Sequence, residues 1–351
     1  MTAKSSSHPS AVGVLRPRRV ARRSLPANFR ADDLQLFGHE LEREIPPVEL
    51  LELRGVGVSS DGFLYKGLKI LPESFAFPFL YDRWKTRSVV KFLVTNHLLR
   101  RKRKVEGRAA WITDDWGGGY FHWLADSLTR LYTIREQARE LTPLLPHMHA
   151  SLGFVRPSLA PFGVRDVRFV APDETLLCER LVVPMHTAPS GHYDEEILVG
   201  VRRLLLEAYG AKDGGEDERL YVSRGRALKR RIANEEEVVA VVKGFGFRVV
   251  YAEDHTFEEQ VGMASRARFF VSNHGAGLTN MLFVREGGRV LELRHQTDKV
   301  NNCYFTMASA LGLEYFYQTC PSDDAAEDPH YANLRVDPDA LADNLRLMLG
   351  G

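Results

Sequence analysis

Short apolar runs alternate with amphipathic stretches in the C-terminal half of the chain. Four runs rich in branched and aromatic residues predict β-strands, at residues 220–223, 247–251, 269–271 and 290–293. Capping signals predict a helix after each of the first two runs, and a small Gly-rich turn and helix separate the last two. The regular order of strand and helix favours a parallel sheet with helices on both faces.

Two helix starts in this half carry capping signals. Asn234 can cap a helix that has Glu237 at its third position, and Gly244 marks the end of that helix. Thr256, with Glu259 three residues later, predicts a capping box at the start of the next helix. These signals place one helix after each of the first two strands.

The N-terminal half is less regular. Residues 31–110 carry short apolar runs separated by Gly and Pro, which indicate α/β structure without defining a topology. A glycine-rich loop at 117–119 leads into a predicted helix over 120–132, where apolar side chains recur at helical spacing at Phe121, Leu124, Leu128 and Leu131. Residues 184–191, which contain Pro and Gly, have the composition of a linker.

A chain of 351 residues is long enough for two domains. We expect a disordered basic tail at residues 1–30, a first α/β domain at 31–185, a Rossmann-like second domain at 192–335, and a C-terminal helix at 336–351. The fold class predicted from these patterns is α/β, with a cleft between two cores.

Arginine, serine and proline dominate the N-terminal tail ahead of its first acidic residue, Asp32. It lacks the apolar run of a secretory signal, and no stretch of the sequence is apolar enough for a membrane span, which indicates a cytoplasmic protein. Peripheral contact of this tail with the anionic inner face of a membrane stays open. A phosphate or membrane contact of the basic run at residues 100–104 also stays open.

Composition excludes some partners and cofactors. The formal net charge of +1 argues against nucleic acid as a partner, because a phosphate-tracking domain is normally strongly basic. The three cysteines are widely spaced, which favours reduced thiols over a zinc site. The triplet Asp337-Pro338-Asp339 starts the last helix, where capping explains it better than Mg²⁺ or Mn²⁺ binding. We therefore expect neither a metal nor another cofactor.

A glycine loop follows the third predicted strand of the C-terminal half. Ligands of open parallel sheets bind beyond the carboxyl ends of the strands, where following helices present backbone N–H groups. Residues 272–280 contain Gly275 and Gly277, which permit close backbone approach, and Leu278 is predicted to begin a helix whose positive end faces an anion. A diphosphate fits this loop; a tight turn with a polar cap is the alternative.

A cationic loop follows the first predicted strand of the same half. Five cations lie between residues 224 and 231, and Arg224 together with Arg230 or Arg231 is a candidate for neutralising phosphate, although a solvated face also explains such a run. Glu253 and Glu292, near the ends of two further strands, are candidate acceptors for ribose or base donors. Because Glu292 lies between two leucines, it is expected to need a partner.

Motifs in both halves together resemble glycosyltransferase family 61. In the C-terminal half they are Ser223-Arg224, Ile232 with Asn234-Glu235-Glu236, Gly246-Phe247, Phe257 with Gln260, His274 to Asn280 with Phe283, and Glu292-Leu293. In the N-terminal half they are Tyr120 to Asp126, Leu128 and Arg130.

This resemblance implies a GT-B architecture, in which two Rossmann-like domains with parallel sheets face each other across a cleft. It also implies an inverting transfer of a sugar from a nucleotide-diphosphate donor to a glycan or lipid-linked acceptor. Because no anchor is evident, the chain is more similar to bacterial members linked to surface or capsular polysaccharide synthesis. An NAD-dependent oxidoreductase and a non-catalytic nucleotide-sugar binder stay open as alternatives, as does a homodimer.

Inversion requires a general base on the acceptor side. His122 and Asp126 are four residues apart on the predicted helix and share a face, so Asp126 can orient the His122 ring, or either can be the base. Arg130, one turn further on, can pair with Asp126. The predicted donor-site residues are Ser223, Arg224, Arg230, Glu253, His274, Gly275, Ala276, Gly277, Leu278, Asn280 and Glu292.

Overall fold

The computed structural model describes residues 11–87, 89–211, 217–324 and 331–350. The chain divides into two compact units. Residues 1–19 and 46–190 form the first unit, and residues 20–45 and 191–351 form the second.

Strands run through both units. Numbered in chain order among the described residues, they are β1 (Ala11–Arg16), β2 (Arg19–Arg22), β3 (Glu42–Ile45), β4 (Val48–Ser59), β5 (Leu64–Lys66), β6 (Lys69–Ile70), β7 (Arg101–Ala110), β8 (Thr142–Leu145), β9 (Arg168–Phe169), β10 (Glu174–Pro184), β11 (Glu218–Ser223), β12 (Arg248–Tyr251), β13 (Ala267–Asn273), β14 (Arg289–His295) and β15 (Glu314–Cys320).

Helices of the described residues are numbered in the same way. They are α1 (Leu34–Phe37), α2 (Pro78–Arg87), α3 (Val89–Val94), α4 (Tyr120–His122), α5 (Leu128–Thr133), α6 (Val155–Leu159), α7 (Glu195–Tyr209), α8 (Glu235–Gly244), α9 (Phe257–Arg266), α10 (Cys303–Ala310) and α11 (Pro338–Leu349). Two π-helical stretches, Thr95–Leu99 and Trp123–Ser127, extend α3 and join α4 to α5. A 3₁₀ helix spans Ala276–Phe283.

The first unit is built on a mixed sheet with the strand order β6-β5-β4-β10-β7-β8-β9, and β1 pairs with β4. Side chains of β4 and β10, including Leu53, Val58 and Leu181, enter its core together with Trp111. The two strands are 12 and 11 residues long and pair antiparallel, whereas β7 to β9 are parallel. The sheet is therefore mixed, and the expectation of a parallel sheet in this half holds only for the strands β10-β7-β8-β9.

The second unit contains a parallel sheet with the strand order β12-β11-β13-β14-β15. Its central strands β13 and β14 are buried almost throughout, as parallel strands covered on both faces are. Helices α8 and α11 cover one part of its core, where Val238, Val242, Leu341 and Leu345 pack. The parallel α/β sheet predicted for this half is confirmed.

The N-terminal segment is folded from residue 11 onward. Strand β1 pairs with the start of β4, with Arg16 opposite Val48, and β2 forms a small sheet with β3. The expected disordered tail is therefore wrong for residues 11–30, because the long strand β4 offers the segment a backbone partner; residues 1–10 lie outside the described residues. The division between units falls between Ser190 and Gly191, and residues 20–45 belong to the second unit rather than to the tail and first domain.

Two of the three predicted helix caps are present in the structure. The Thr256–Glu259 capping box is confirmed, with both of its hydrogen bonds present, and Asp337 caps α11 by accepting from the N–H groups of Asp339 and Ala340. Asn234 stands at the start of α8, but its side chain makes no cap. Its amide instead pairs with the backbone of Val336, so the expected role of Asn234 is wrong.

Across the described residues, no helix combines the length and the apolar character needed to cross a bilayer.

Candidate functional site

Strand order in the second unit indicates a candidate ligand site. Strand β11 has β12 on one side and β13 on the other, so the chain leaves β11 in one direction and later returns on the opposite side. In open α/β sheets, such a switch point leaves a crevice beyond the carboxyl ends of the two strands. Here those ends lead into the cationic loop and the glycine loop.

Arg224, just after β11, lies directly on Gly275, just after β13. A Cβ atom built on Gly275 would stand 2.5 Å from Cζ of Arg224, closer than atoms can approach. Gly275 also has φ 147° and ψ −177°, a conformation that is essentially restricted to glycine. The glycine therefore makes room for the guanidinium and gives the loop its path.

Gly275→Ala is expected to cost about 1–3 kcal/mol of folding stability because the residue must adopt a strained conformation. The added methyl also displaces the Arg224 guanidinium, so binding of a nucleoside diphosphate should weaken. Thermal unfolding and a titration measure the two effects. Gly244→Ala is the control, because a methyl there meets nothing within 4 Å. Equal effects in both variants would contradict the assignment of Gly275 to the diphosphate site.

A second guanidinium stands beside the first. Arg230 has φ 56°, and its carbonyl accepts a hydrogen bond of 2.6 Å from Nδ2 of Asn273 at the end of β13. Burial lowers the pKa of Arg224, and the nearby charge of Arg230 lowers it further. Within the described part of the chain, the Nε atoms of both arginines are buried without a hydrogen-bond partner. Two like charges held together with unused donors favour an anion between them.

The ring of His274 is oriented by a hydrogen bond to a buried carboxylate. Its Nδ1 lies 2.5 Å from Oε1 of Glu292, which is fully buried and also accepts from the hydroxyl of Tyr315. Burial alone raises the pKa of Glu292, but the charge and hydrogen bond of His274, with Arg294, hold it below its ordinary value. The need of Glu292 for a partner is confirmed. Both of its oxygens have partners inside the unit, and its expected contact with ribose or base stays a prediction.

Other predicted donor-site side chains also point inward. Ser223 donates to Glu235 over 2.6 Å and accepts from the N–H of Gly225 over 3.0 Å. Nδ2 of Asn280 donates to Gln260 over 3.0 Å, in the interior. These side chains shape the loops through contacts within the unit, and the polar contact expected of Asn280 stays a prediction.

The glycine loop enters a 3₁₀ helix at Ala276 rather than a helix at Leu278 as predicted. The side chain of Leu278 is in the core, and its N–H donates to the carbonyl of Gly275. Gly277 lies against Val222 of β11, where a Cβ would approach to 3.1 Å. Ala276 is exposed at the start of the 3₁₀ helix, and Glu253 is exposed in the turn after β12.

In the first unit, a His–Asp pair lies on the predicted helix. Nδ1 of His122 is 2.8 Å from Oδ2 of Asp126, as the four-residue spacing predicts. The carboxylate is buried, whereas the imidazole keeps 19% of its surface exposed. The helix is π-helical between them, a distortion that is frequent at functional sites. With Nδ1 bound to the carboxylate, Nε2 of His122 is the nitrogen that can exchange a proton.

The hydroxyl of Ser190 lies beside this pair, and no sequence pattern predicts its presence there. The hydroxyl donates to Oδ2 of Asp126 over 2.8 Å and lies 3.3 Å from Nδ1 of His122. Ser190 was assigned only to the linker, since nothing in the sequence relates it to a helix 64 residues away.

A second buried cluster supports the helix. Arg130 lies 3.6 Å from Asp114 and donates to the carbonyls of Thr113 and Pro184, so its expected pairing with Asp126 is wrong. Asp114 also lies 3.0 Å from Nε2 of His186. Burial opposes ionisation of Asp114, but His186 and Arg130 hold its pKa below the ordinary value. Asp114 and His186 were missed because they are distant in sequence.

The ring of Trp116 stands edge-on to His122, with centroids 4.8 Å apart, and Phe77 packs against Trp116 at 5.0 Å. Trp116 is 38% exposed. An apolar ring therefore borders the polar pair, a combination typical of sites for amphipathic ligands.

No group of three or more His, Cys, Asp or Glu side chains suited to a metal ion occurs among the described residues.

Comparison with known proteins gives one family and a set of relatives. Residues 120–291 match the family model described as Glycosyltransferase 61. The chain is 28% identical to the EGF domain-specific O-linked N-acetylglucosamine transferase of Mus musculus over 144 residues, which are 39% of this chain and 27% of that protein. It is 33% identical to Protein O-linked-mannose beta-1,4-N-acetylglucosaminyltransferase 2 of Xenopus tropicalis over 116 residues, which are 30% of this chain and 19% of that protein.

The chain therefore covers about a quarter or less of the length of these relatives. The matched range contains the His122–Asp126 pair and the glycine loop, and it ends one residue before Glu292. The family resemblance predicted from the sequence is confirmed.

Proposed function

Since residues 120–291 belong to glycosyltransferase family 61, we propose that this chain transfers a sugar from a nucleotide-diphosphate donor to a hydroxyl group of a glycan or lipid-linked acceptor. The transfer inverts the configuration at the anomeric carbon.

The contact of Arg224 with Gly275, beside Arg230, is the single observation that carries the donor half of this proposal. Two guanidiniums with buried, unpartnered Nε atoms meet a glycine-containing loop at the carboxyl ends of β11 and β13. A diphosphate supplies the negative charge that this arrangement lacks. In the transfer step, negative charge grows on the leaving diphosphate, and fixed cations stabilise it.

We propose that the nucleoside of the donor binds next to the diphosphate site. An open cleft of about 600 Å³ lies beyond β11 and β12, bordered by Gly225, Arg226, Glu235 and Tyr251. The guanidinium of Arg226 stacks over the Tyr251 ring at 4.4 Å. A flat, charged surface such as this Arg226–Tyr251 stack suits a nucleotide base and its ribose. Glu253, in the turn after β12, stays a proposed ligand of the nucleoside.

His122 is the general base in this proposal. Asp126 accepts a hydrogen bond from Nδ1–H of the ring, which leaves the Nε2 lone pair to take the proton of the acceptor hydroxyl as its oxygen bonds to the anomeric carbon. The bond from that carbon to the diphosphate breaks in the same step, and the nucleoside diphosphate leaves. Asp126 and Ser190 hold the ring in the tautomer that this step requires.

The sugar proposed for the donor is N-acetylglucosamine. Both relatives described above are named for transfer of this sugar. The acceptor proposed is a growing or lipid-linked surface polysaccharide, reached from the cytoplasm. We further propose that the two units serve as the acceptor and donor halves of a GT-B enzyme, because one carries the His–Asp pair and the other the glycine loop.

A ligand panel tests the donor class. Nucleoside diphosphates and nucleotide sugars should raise the melting temperature of the chain, because a ligand that binds only the folded state stabilises it. NAD should not, since the glycine loop has Asn280 where a dinucleotide-binding fingerprint has its third glycine. Stabilisation by NAD alone would favour an oxidoreductase instead.

Chelation by EDTA is expected to leave the transfer rate within about twofold of its value in the presence of Mg²⁺, because the proposed leaving group is neutralised by arginine rather than by a metal. The measurement compares initial rates in EDTA with those after added Mg²⁺ or Mn²⁺. A rate that disappears in EDTA and returns with metal would contradict the assignment of this role to Arg224 and Arg230.

A further inference from the structure

An exposed apolar face lies on the helix that precedes β7 in the first unit. Val90, Val94 and Leu98 are spaced four residues apart, which places them on one side of α3 and its π-helical extension. Their exposed fractions are 76%, 43% and 76%, and the adjoining Leu99 is 74% exposed. Single exposed apolar residues are common on proteins, but four in one short segment form a patch.

Basic residues follow this face without a break. Arg100 pairs with Asp61 at 2.9 Å, and Arg101 pairs with Asp173. Lys102, Arg103 and Lys104 are exposed, and within the described ranges no carboxylate lies at ion-pair distance from any of the three. Three cations are therefore available to an external anion.

The position of these cations in the sheet has one simple explanation. This part of β7 pairs with β10 on one side, while β8 pairs only with Ala109 and Ala110 on the other. Charged residues commonly guard an open strand edge against another chain. Edge protection does not explain the apolar face before β7, however, because exposed valine and leucine would promote association rather than prevent it.

We propose that residues 90–104, here called the 90–104 surface, bind an anionic lipid bilayer. Apolar side chains beside a cluster of free cations match a surface that offers acyl chains under negatively charged headgroups. Val90, Val94, Leu98 and Leu99 enter the boundary between headgroups and acyl chains, and Lys102 to Lys104 contact lipid phosphate. This places the membrane contact away from the basic N-terminal segment, which is held in β1 and β2.

Co-sedimentation of the full chain with vesicles tests this surface independently of donor binding. The chain should pellet with phosphatidylcholine vesicles that contain phosphatidylglycerol, much less with phosphatidylcholine alone, and less as salt is raised. Neutralising Lys102, Arg103 and Lys104 to Gln together should weaken binding by about a hundredfold, at about fivefold for each cation. The Val90→Ser, Val94→Ser, Leu98→Ser variant should also lose binding.

The matched control neutralises three cations of the second unit, Lys243→Gln, Arg248→Gln and Arg346→Gln, and should bind vesicles like the wild type. Thermal unfolding checks that each variant is folded. Failure of the wild type to bind anionic vesicles, or unchanged binding after neutralisation at 102–104, would overturn the proposal. A wild-type oligomer that dissociates in the serine variant, without lipid binding, would assign the face to a second copy and overturn it as well.

Discussion

Arg224→Ala is expected to raise the dissociation constant of a nucleoside diphosphate by about tenfold to a hundredfold. A hydrogen bond to a charged group contributes about 1.5–3 kcal/mol, which corresponds to this range. Arg224 lies on Gly275 with a buried, unpartnered Nε, so its loss removes a donor that is already in position and needs no rearrangement. Isothermal titration of UDP into the wild type and the variant measures the change.

Arg248→Ala is the control for that experiment. Arg248 begins β12 and pairs with Glu218 at 3.1 Å, so it lies at the amino edge of the same sheet, opposite the proposed site. The control removes the same charge and should leave the affinity unchanged. Equal losses in the two variants would show that net charge, rather than the loop, determines binding. Unchanged affinity in Arg224→Ala would contradict the phosphate assignment.

His122→Ala is expected to lower kcat for sugar transfer by about a hundredfold to ten-thousandfold, the usual contribution of a positioned base. Donor affinity should stay the same, because the residues proposed to bind the donor lie in the other unit. Asp126→Asn should act in the same direction, since an amide cannot stabilise the protonated ring. Rates with a saturating nucleotide sugar, together with the UDP titration, separate catalysis from binding.

His147→Ala is the matched control, an exposed histidine of the same unit that should be neutral. Ser190→Ala is expected to lower kcat by less than Asp126→Asn does, because its hydroxyl only supports the carboxylate that orients His122. Full activity of His122→Ala would remove this residue from the mechanism. Loss of donor affinity in the same variant would instead indicate a structural role.

The second unit could be predicted because its signals are local. Strands β11 to β14 are each centred on a short run of mostly apolar residues, although Glu292 interrupts the run of β14, and the Thr256 capping box needs only residues within three positions of each other. Asn234 shows the limit of such reasoning, because the backbone of Val336, 102 residues away, competes for its side chain. Residue type and spacing cannot reveal a distant partner of this kind.

The first unit could not be predicted in the same way. Its sheet depends on the pairing of β4 with β10, more than a hundred residues apart, and this pairing leaves no periodic signal between them. Strand β1 lies in an arginine-rich segment that composition alone makes look disordered. It is ordered by its register with β4, a property of the folded chain rather than of the segment.

Those parts of the candidate site that depend on residue spacing could be predicted. Those that depend on which way a side chain points could not. His122 and Asp126 meet because four residues make one helical turn. The glycine loop and Arg224 were found because they follow strands whose carboxyl ends share one edge. By contrast, Asn280 and Glu292 have the chemistry of ligand-binding residues but turn into the unit, and no sequence pattern states which way a loop side chain turns.

Release of nucleoside diphosphate from a panel of nucleotide sugars, with UDP-N-acetylglucosamine first, tests the central claim most directly. The wild type should release the diphosphate faster than buffer does, by transfer to an acceptor or slowly to water, and the rate should fall sharply in both His122→Ala and Arg224→Ala. A wild type that binds these donors but releases nothing, or releases the diphosphate equally well in both variants, would contradict the account.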